Sequence, residues 1–189
     1  MPNVAAMEPR VLVDLIAMTV DELAHAPPGA APAEVLVLSP WLSDVELTVM
    51  PSDRHGILGR GLSEAETMGL IGCLIQVCRL KARVAVGVLA YGESIHGLRK
   101  DLEHFGYERA ILRRLLAAGA EIYLCPGLHA KGIVTSLGLI TGSTNYTHRG
   151  LHLQMQNANY FPHDHPDYAS NRHTLMSYLA RPYRVTAIP

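Results

Sequence analysis

A chain of 189 residues, 49% apolar and 17% charged, is long enough to bury a core in one compact domain, and this composition excludes disordered and collagen-like chains. The formal charge of −1 with neutral histidines excludes a surface coated in positive charge for indiscriminate nucleic-acid binding, although a local basic groove stays open. Apolar runs such as 35–38 and 84–90 are too short to span a bilayer and the N-terminus lacks a secretion signal, so a cytoplasmic protein without stable membrane insertion is expected.

Val11, Leu12, Leu15, Ile16, Thr19 and Leu23 recur at a helical period and stop before Pro27 and Pro28, predicting an N-terminal helix and linker over residues 1–32. Residues 33–38 form a continuous apolar run, read as a buried strand, and lead into a loop holding Pro40 and Trp41. A second strand is expected over 46–50 and an exposed loop over 51–61. Ser63 and Glu66 form a capping box that predicts a helix from 63 to about 80. The valine-rich run 82–90 reads as a central strand ending in a loop at Tyr91.

A long helix is expected over 94–118, broken at Gly106, with Arg109, Arg113 and Arg114 as a solvated basic stripe. Strands are expected at 121–125, at 154–161, and as a hairpin of 129–135 with 139–141, followed by a last helix over 166–180. Strands alternating with helices, then a hairpin, indicate an α/β domain with a mixed sheet. Cys73, Cys78 and Cys125 lack CxxC spacing and cannot all pair, so reduced, mostly buried thiols are expected.

Chemistry concentrates between Gly127 and Thr147. His129 and Lys131 are two residues apart, which on a strand turns both side chains to one face. A histidine serves as nucleophile or acid/base near neutral pH, and a neighbouring lysine offers a positive charge to an anionic oxygen. The return strand leads into Gly142, Ser143, Thr144 and Asn145, where glycine admits a close ligand and Ser143 and Asn145 supply neutral donors. These groups predict a phosphate site.

This stretch resembles the signature of the phospholipase D superfamily: HxK, four residues, Asp, then GSxN, here over residues 129–156 with Thr147, Gly150 and Leu151 continuing the likeness. Ser136 stands at the aspartate position, the interval to Gly142 is one residue shorter, and Gln156 stands where a glutamate often orients the imidazole. The resemblance implies a phospholipase D-like mixed β-sheet flanked by helices, one HKD-type motif per chain and a single such domain across residues 1–189. It also implies metal-independent phosphodiester chemistry without a cofactor. One histidine attacks phosphorus to form a phosphohistidine, a second protonates the leaving oxygen, and Lys131, Ser143 and Asn145 neutralise the equatorial oxygens.

His129 is the only HxK histidine in the chain, so a complete site implies a homodimer that brings two copies of His129 together. Gln156 is the expected hydrogen-bond acceptor for His129 Nδ1–H. Arg149 is a candidate for a backbone phosphate, and Trp41 and Tyr91 for stacking on a base or lining an acyl groove. His163, Asp164 and His165 match no common zinc spacing and read as a solvated loop. The leading expectation is a nuclease on DNA or RNA, with a bacterial defence or DNA-modification complex as its setting. The alternatives are a non-catalytic phosphate- or nucleic-acid-binding subunit, suggested by Ser136 and Gln156, and a phospholipase or phosphatidyl transferase.

Overall fold

The computed structural model describes residues 15–16, 33–49, 66–90, 94–95, 98–99, 102–153 and 157–188. Three runs of β-branched and aliphatic residues form parallel neighbours: β1 (Glu34–Leu38), β4 (Arg83–Leu89) and β7 (Glu121–Cys125). Strands buried on both faces have no polar side to display, which is why β1 and β4 read as continuous apolar runs. Between them lie two short hairpins, β2 (Glu46–Val49) with β3 (Glu66–Gly69) and β5 (Ser94–Ile95) with β6 (Leu98–Arg99). The chain then adds β8 (Gly132–Thr135), β9 (Gly138–Gly142), β10 (Ala158–Pro162) and β11 (Arg184–Val185). The main sheet has the order β10-β9-β8-β1-β4-β7-β11.

Two helices, α1 (Leu70–Arg79) and α2 (Leu102–Ala117), cover one face, where Leu74, Val77, Leu112 and Leu115 meet Val35, Val37, Val84, Val86 and Ile122. The last helix, α3 (Tyr168–Ser177), covers the other, where Leu175 and Tyr168 join Leu36, Leu38, Ala85 and Tyr123. Successive residues of β1 therefore feed opposite cores. No helix among the described residues is long and apolar enough to cross a membrane.

Several expected boundaries move. The helix predicted from the box at Ser63 and Glu66 begins only at Leu70, because Glu66 pairs with Val49 in the β2–β3 hairpin. Its N-terminal cap comes from elsewhere: Asp44 Oδ1 accepts the Ile71 N–H at 3.0 Å. The helix predicted over 94–118 is a hairpin followed by α2, and Gly106 lies inside α2 without interrupting it. The C-terminal helix is shorter than predicted and is followed by a 3-10 turn (Arg181–Tyr183) and β11. Of the N-terminal helix only Leu15 and Ile16, both buried and helical, are described; the loop expected over 51–61 lies outside the described residues.

The two edges of the sheet differ in character. Glu34, Arg83 and Glu121 open the three parallel strands, and Arg83 pairs with Glu34 at 3.2 Å and with Glu121 at 2.9 Å. Arg172 of α3 also pairs with Glu34, and Arg184 of β11 meets Glu121 at 3.3 Å. That amino edge is closed by its own ion pairs. The opposite, carboxyl edge carries the loops where open α/β sheets bind ligands.

Candidate active site

After β7 the chain turns at Pro126 and Gly127. Gly127 holds φ at +62° and the Leu128 N–H reaches back to Cys125 O, the arrangement of a type II turn, in which glycine avoids a Cβ clash. Leu128 is buried and anchors the turn, so His129 emerges exposed at the carboxyl edge. The hairpin strand expected from residue 129 begins only at Gly132, which pairs with Leu38 at the end of β1. His129 and Lys131 therefore do not share a strand face. Lys131 is 7% exposed and folds back so that Nζ donates to His129 O at 2.7 Å.

The return strand brings the second half of the motif level with the first. Gly132 pairs with Thr141, so Gly142 lies beside Lys131, and Thr141 Oγ1 donates to Lys131 O at 3.0 Å. On its other side Gly142 pairs with Ala158 of β10, and a Cβ at Gly142 would stand 2.0 Å from Asn157 O. Only glycine fits there. Ser143 then pairs with Asn157: its N–H donates to Asn157 O at 2.9 Å and its Oγ accepts the Asn157 N–H at 3.1 Å. The Ser143 hydroxyl lies 3.5 Å from Asn157 O, a distance that leaves its proton available to a stronger acceptor.

Asn145 is half-buried, and its Oδ1 is buried and accepts no hydrogen bond among the described residues. The turn beyond it is held by Thr147, whose Oγ1 accepts the Gly150 N–H at 3.1 Å at the head of a π-helical turn, Arg149–Leu153. Arg149 is exposed on that turn. Trp41 is half-buried in the loop that leaves β1, at the same carboxyl edge. Tyr91, Gln154 and Gln156 lie outside the described residues.

Charge favours an anion here. Burial lowers the pKa of Lys131, because an ammonium loses hydration when it leaves water, and no carboxylate among the described residues pairs with it. A desolvated ammonium also attracts a negative oxygen more strongly than one in bulk water. With Ser143 Oγ–H beside Gly142 and an exposed imidazole at residue 129, the described residues bring a buried cation, a hydroxyl donor and an acid/base group to this edge. That set suits a tetrahedral anion.

Ser136 falls outside this edge. It lies in the β8–β9 turn, past Thr135, which pairs with Val35 near the start of β1. It lies five positions beyond Lys131, roughly 16 Å of extended strand. The turn is secured by Thr135 Oγ1, which donates to Gly138 O at 3.1 Å and accepts the Leu137 and Gly138 N–H groups. Ser136, at the aspartate position of the signature this stretch resembles, is therefore part of the hairpin turn and lies away from the carboxyl edge.

The histidine-rich loop sits at that same remote end, where the His163 N–H donates to Leu137 O. His163 and Asp164 are exposed and His165 is half-buried; the His165 ring meets Phe161 edge-on and the His163 ring meets Tyr168, both with centroids 5.2 Å apart. Among the described residues no group of three or more His, Cys, Asp or Glu side chains is placed to hold a metal ion. The arginine stripe is also partly engaged. Arg114 pairs with Asp44 at 3.1 Å, Arg113 donates to Ile188 O at 3.4 Å, and Arg109 is half-buried. Cys73 and Cys125 are buried thiols whose pKa burial pushes up to about 12.

Several residues that shape the edge carry no motif signal. Ser39, fully buried, accepts the Tyr146 N–H at 3.0 Å and donates to Trp41 O at 2.5 Å. Glu108, 3% exposed on α2, accepts the Leu42 N–H at 3.0 Å. Thr141 and Asn157 secure the two halves of the motif. Each stands next to a feature the sequence singles out, Ser39 by the loop holding Trp41, Thr141 by Gly142, Asn157 by Gln156 and Glu108 by Arg109, yet none carries the signal itself.

No family model matches the chain, and no curated protein matches it by sequence. Solved structures do. A phospholipase D family member, Nuc from Salmonella typhimurium, superposes with a TM-score of 0.55 at 13% identity, over 93% of this chain and 88% of that one. NucT from Helicobacter pylori matches with a TM-score of 0.48 at 12% identity, covering 94% and 91%. Polyphosphate kinase from Porphyromonas gingivalis gives 0.48 at 10%, over 89% of this chain and 20% of its own length. The chain has the fold of the phospholipase D family member, a mixed seven-stranded sheet flanked by helices.

Proposed function

We propose that the chain is a metal-independent phosphodiesterase, a nuclease on DNA or RNA, acting through a covalent phosphohistidine in a site completed by a second copy of itself. The observation that carries this reading is the buried Lys131, paired with no carboxylate among the described residues and bonded to the backbone of an exposed His129, with Gly142 and Ser143 level with it. The fold shared with Nuc supports it.

In the proposed reaction His129 of one protomer attacks phosphorus, forming a P–N bond as the P–O bond to the leaving strand breaks. The partner's His129 protonates that oxygen. It then takes a proton from water, whose oxygen attacks phosphorus, breaks the P–N bond and restores the first imidazole. Lys131, Ser143 and Asn145 face the non-bridging oxygens, where a desolvated cation and fixed donors stabilise developing charge. Gln156 accepts from His129 Nδ1–H without adding charge, Arg149 meets a flanking phosphate, and Trp41 and Tyr91 stack on bases. The proposal includes one domain across residues 1–189, a cytoplasmic location, and a place in a defence or DNA-modification complex.

The test combines labelled single-stranded DNA, duplex DNA, RNA and phosphatidylcholine with the purified protein in EDTA, beside His129→Ala, with oligomeric state measured by sedimentation. Cleavage of nucleic acid in EDTA, lost in the variant, by a dimer is the expected result. A requirement for added Mg²⁺, or cleavage that survives the substitution, refutes the mechanism, and a monomer at micromolar concentration removes the composite site. Cleavage of phosphatidylcholine alone reassigns the substrate. Gln156 in place of a glutamate favours a second reading, a non-catalytic phosphate-binding subunit, which predicts oligonucleotide binding without turnover.

A further inference from the structure

Two buried polar side chains converge on one peptide group. The carbonyl of Trp41 accepts from Ser39 Oγ at 2.5 Å, and the N–H of Leu42 donates to Glu108 Oε1 at 3.0 Å. These are the two ends of the Trp41–Leu42 peptide. Ser39 is 0% exposed and Glu108 3% exposed, so water does not compete for either bond. Glu108 is a carboxyl side chain buried on the apolar side of α2, where burial is costly unless the group is hydrogen-bonded.

A peptide held at both its donor and acceptor is fixed in orientation, and with it the Cα–Cβ direction of Trp41. The same Ser39 oxygen accepts the Tyr146 N–H at 3.0 Å, one residue beyond Asn145, and the Ser43 N–H donates to Tyr146 O at 3.0 Å. Trp41 is therefore held in register with the GSTN segment. Trp41, half-buried, thus stands on a peptide clamped by its near neighbour Ser39 and by Glu108 of α2.

We propose that Ser39 and Glu108 are positioning residues that clamp the Trp41–Leu42 peptide and hold the Trp41 ring as the fixed platform on which a nucleic-acid base lies beside the phosphate site. The second half of this statement rests on the reading of the site as a nucleic-acid phosphodiesterase. The clamp itself does not.

Trp41 is the only tryptophan of the chain, so its emission reports this platform alone. Ser39→Ala and Glu108→Ala release one end of the peptide each. Their Trp41 emission shifts to the red and its quenching by acrylamide rises about twofold as the loop opens locally. Glu108→Gln keeps a carbonyl acceptor and Ser39→Thr keeps the hydroxyl, so both stay near the parent value. Arg114→Ala, which breaks the ion pair to Asp44 but leaves this peptide untouched, serves as the unaffected control. Circular dichroism confirms that each variant is folded, and the conservative pair carries the test where an alanine variant is not.

Binding of a single-stranded oligonucleotide, read in a His129→Ala background, weakens about fivefold or more in the released variants, as expected when a stacking surface is lost. Unchanged acrylamide quenching in both alanine variants overturns the clamp. Raised quenching with unchanged oligonucleotide affinity leaves the clamp standing and overturns the platform. A parent protein that neither binds nor cleaves nucleic acid refutes the proposed function and the platform together, and quenching still decides the clamp.

Discussion

Replacing Lys131 by Met separates the contribution of the ammonium to folding from its contribution to chemistry. The side chain is 7% exposed, makes one hydrogen bond, to His129 O, and pairs with no carboxylate among the described residues. Met fills similar volume without a charge. Loss of that hydrogen bond costs about 1 kcal/mol, and removal of an unpaired buried charge returns a comparable amount. Stability at neutral pH should thus change by less than about 1 kcal/mol.

Under the proposed mechanism chemistry responds differently, because there the ammonium stabilises a developing negative charge. Removing one such electrostatic contact costs about 3 kcal/mol, or roughly 100-fold or more in kcat. Urea denaturation and cleavage of labelled DNA, run on the same preparations, give both numbers. The pH dependence supplies a sign. The folded pKa of Lys131 is depressed from 10.5, so the unfolded chain holds more protons between the two values. The parent should therefore gain stability relative to Lys131→Met as pH rises through that window. A loss of stability above about 2 kcal/mol would point to a structural lysine, and full activity in a folded variant would refute the role given to it here.

Other consequences follow from named contacts. Gly142→Ala places a Cβ 2.0 Å from Asn157 O, a backbone atom that moves only with β10, so a loss of about 1–3 kcal/mol is expected by thermal or urea unfolding. Activity should fall further than stability, because Ser143 is displaced with the strand. Ser136→Asp installs, at the far end of the hairpin, the aspartate of the signature this stretch resembles and should leave cleavage rates within about twofold; a tenfold rise would show that the two ends communicate. Burial opposes ionisation of Glu121, but hydrogen bonds from Arg83 and Tyr123 and the nearby arginine charges outweigh it and lower its pKa from 4.5. Its stabilisation is present above that value and lost as pH falls through the folded pKa, so Glu121→Gln should flatten the acid limb of the stability profile.

The apolar runs of β1 and β4 were legible because burial on both faces writes itself into consecutive residues, whatever surrounds them. The spacing from His129 to Asn145 was equally legible, since a hairpin of that length must bring its ends together. The boundaries of α1 and α2 were not. The box at Ser63 and Glu66 is a valid local signal, yet Glu66 belongs to a hairpin with Val49, and the helix that follows is capped by Asp44, 27 residues from Ile71.

The site shows the same division. Residue types and spacing determined that imidazole, ammonium and small polar donors gather at one place, because chemistry of this kind is carried by side chains a few residues apart. Only the folded chain decided where they point. Lys131 turns to the backbone of His129 because the strand starts three residues later than its apolar pattern suggests, and Ser136 is remote because the hairpin is extended. The hydrogen bonds that hold the edge join residues 66 and 107 positions apart, Leu42 to Glu108 and Ser39 to Tyr146. Such partners are chosen by the order of strands in the sheet, and local periodicity carries no record of that order.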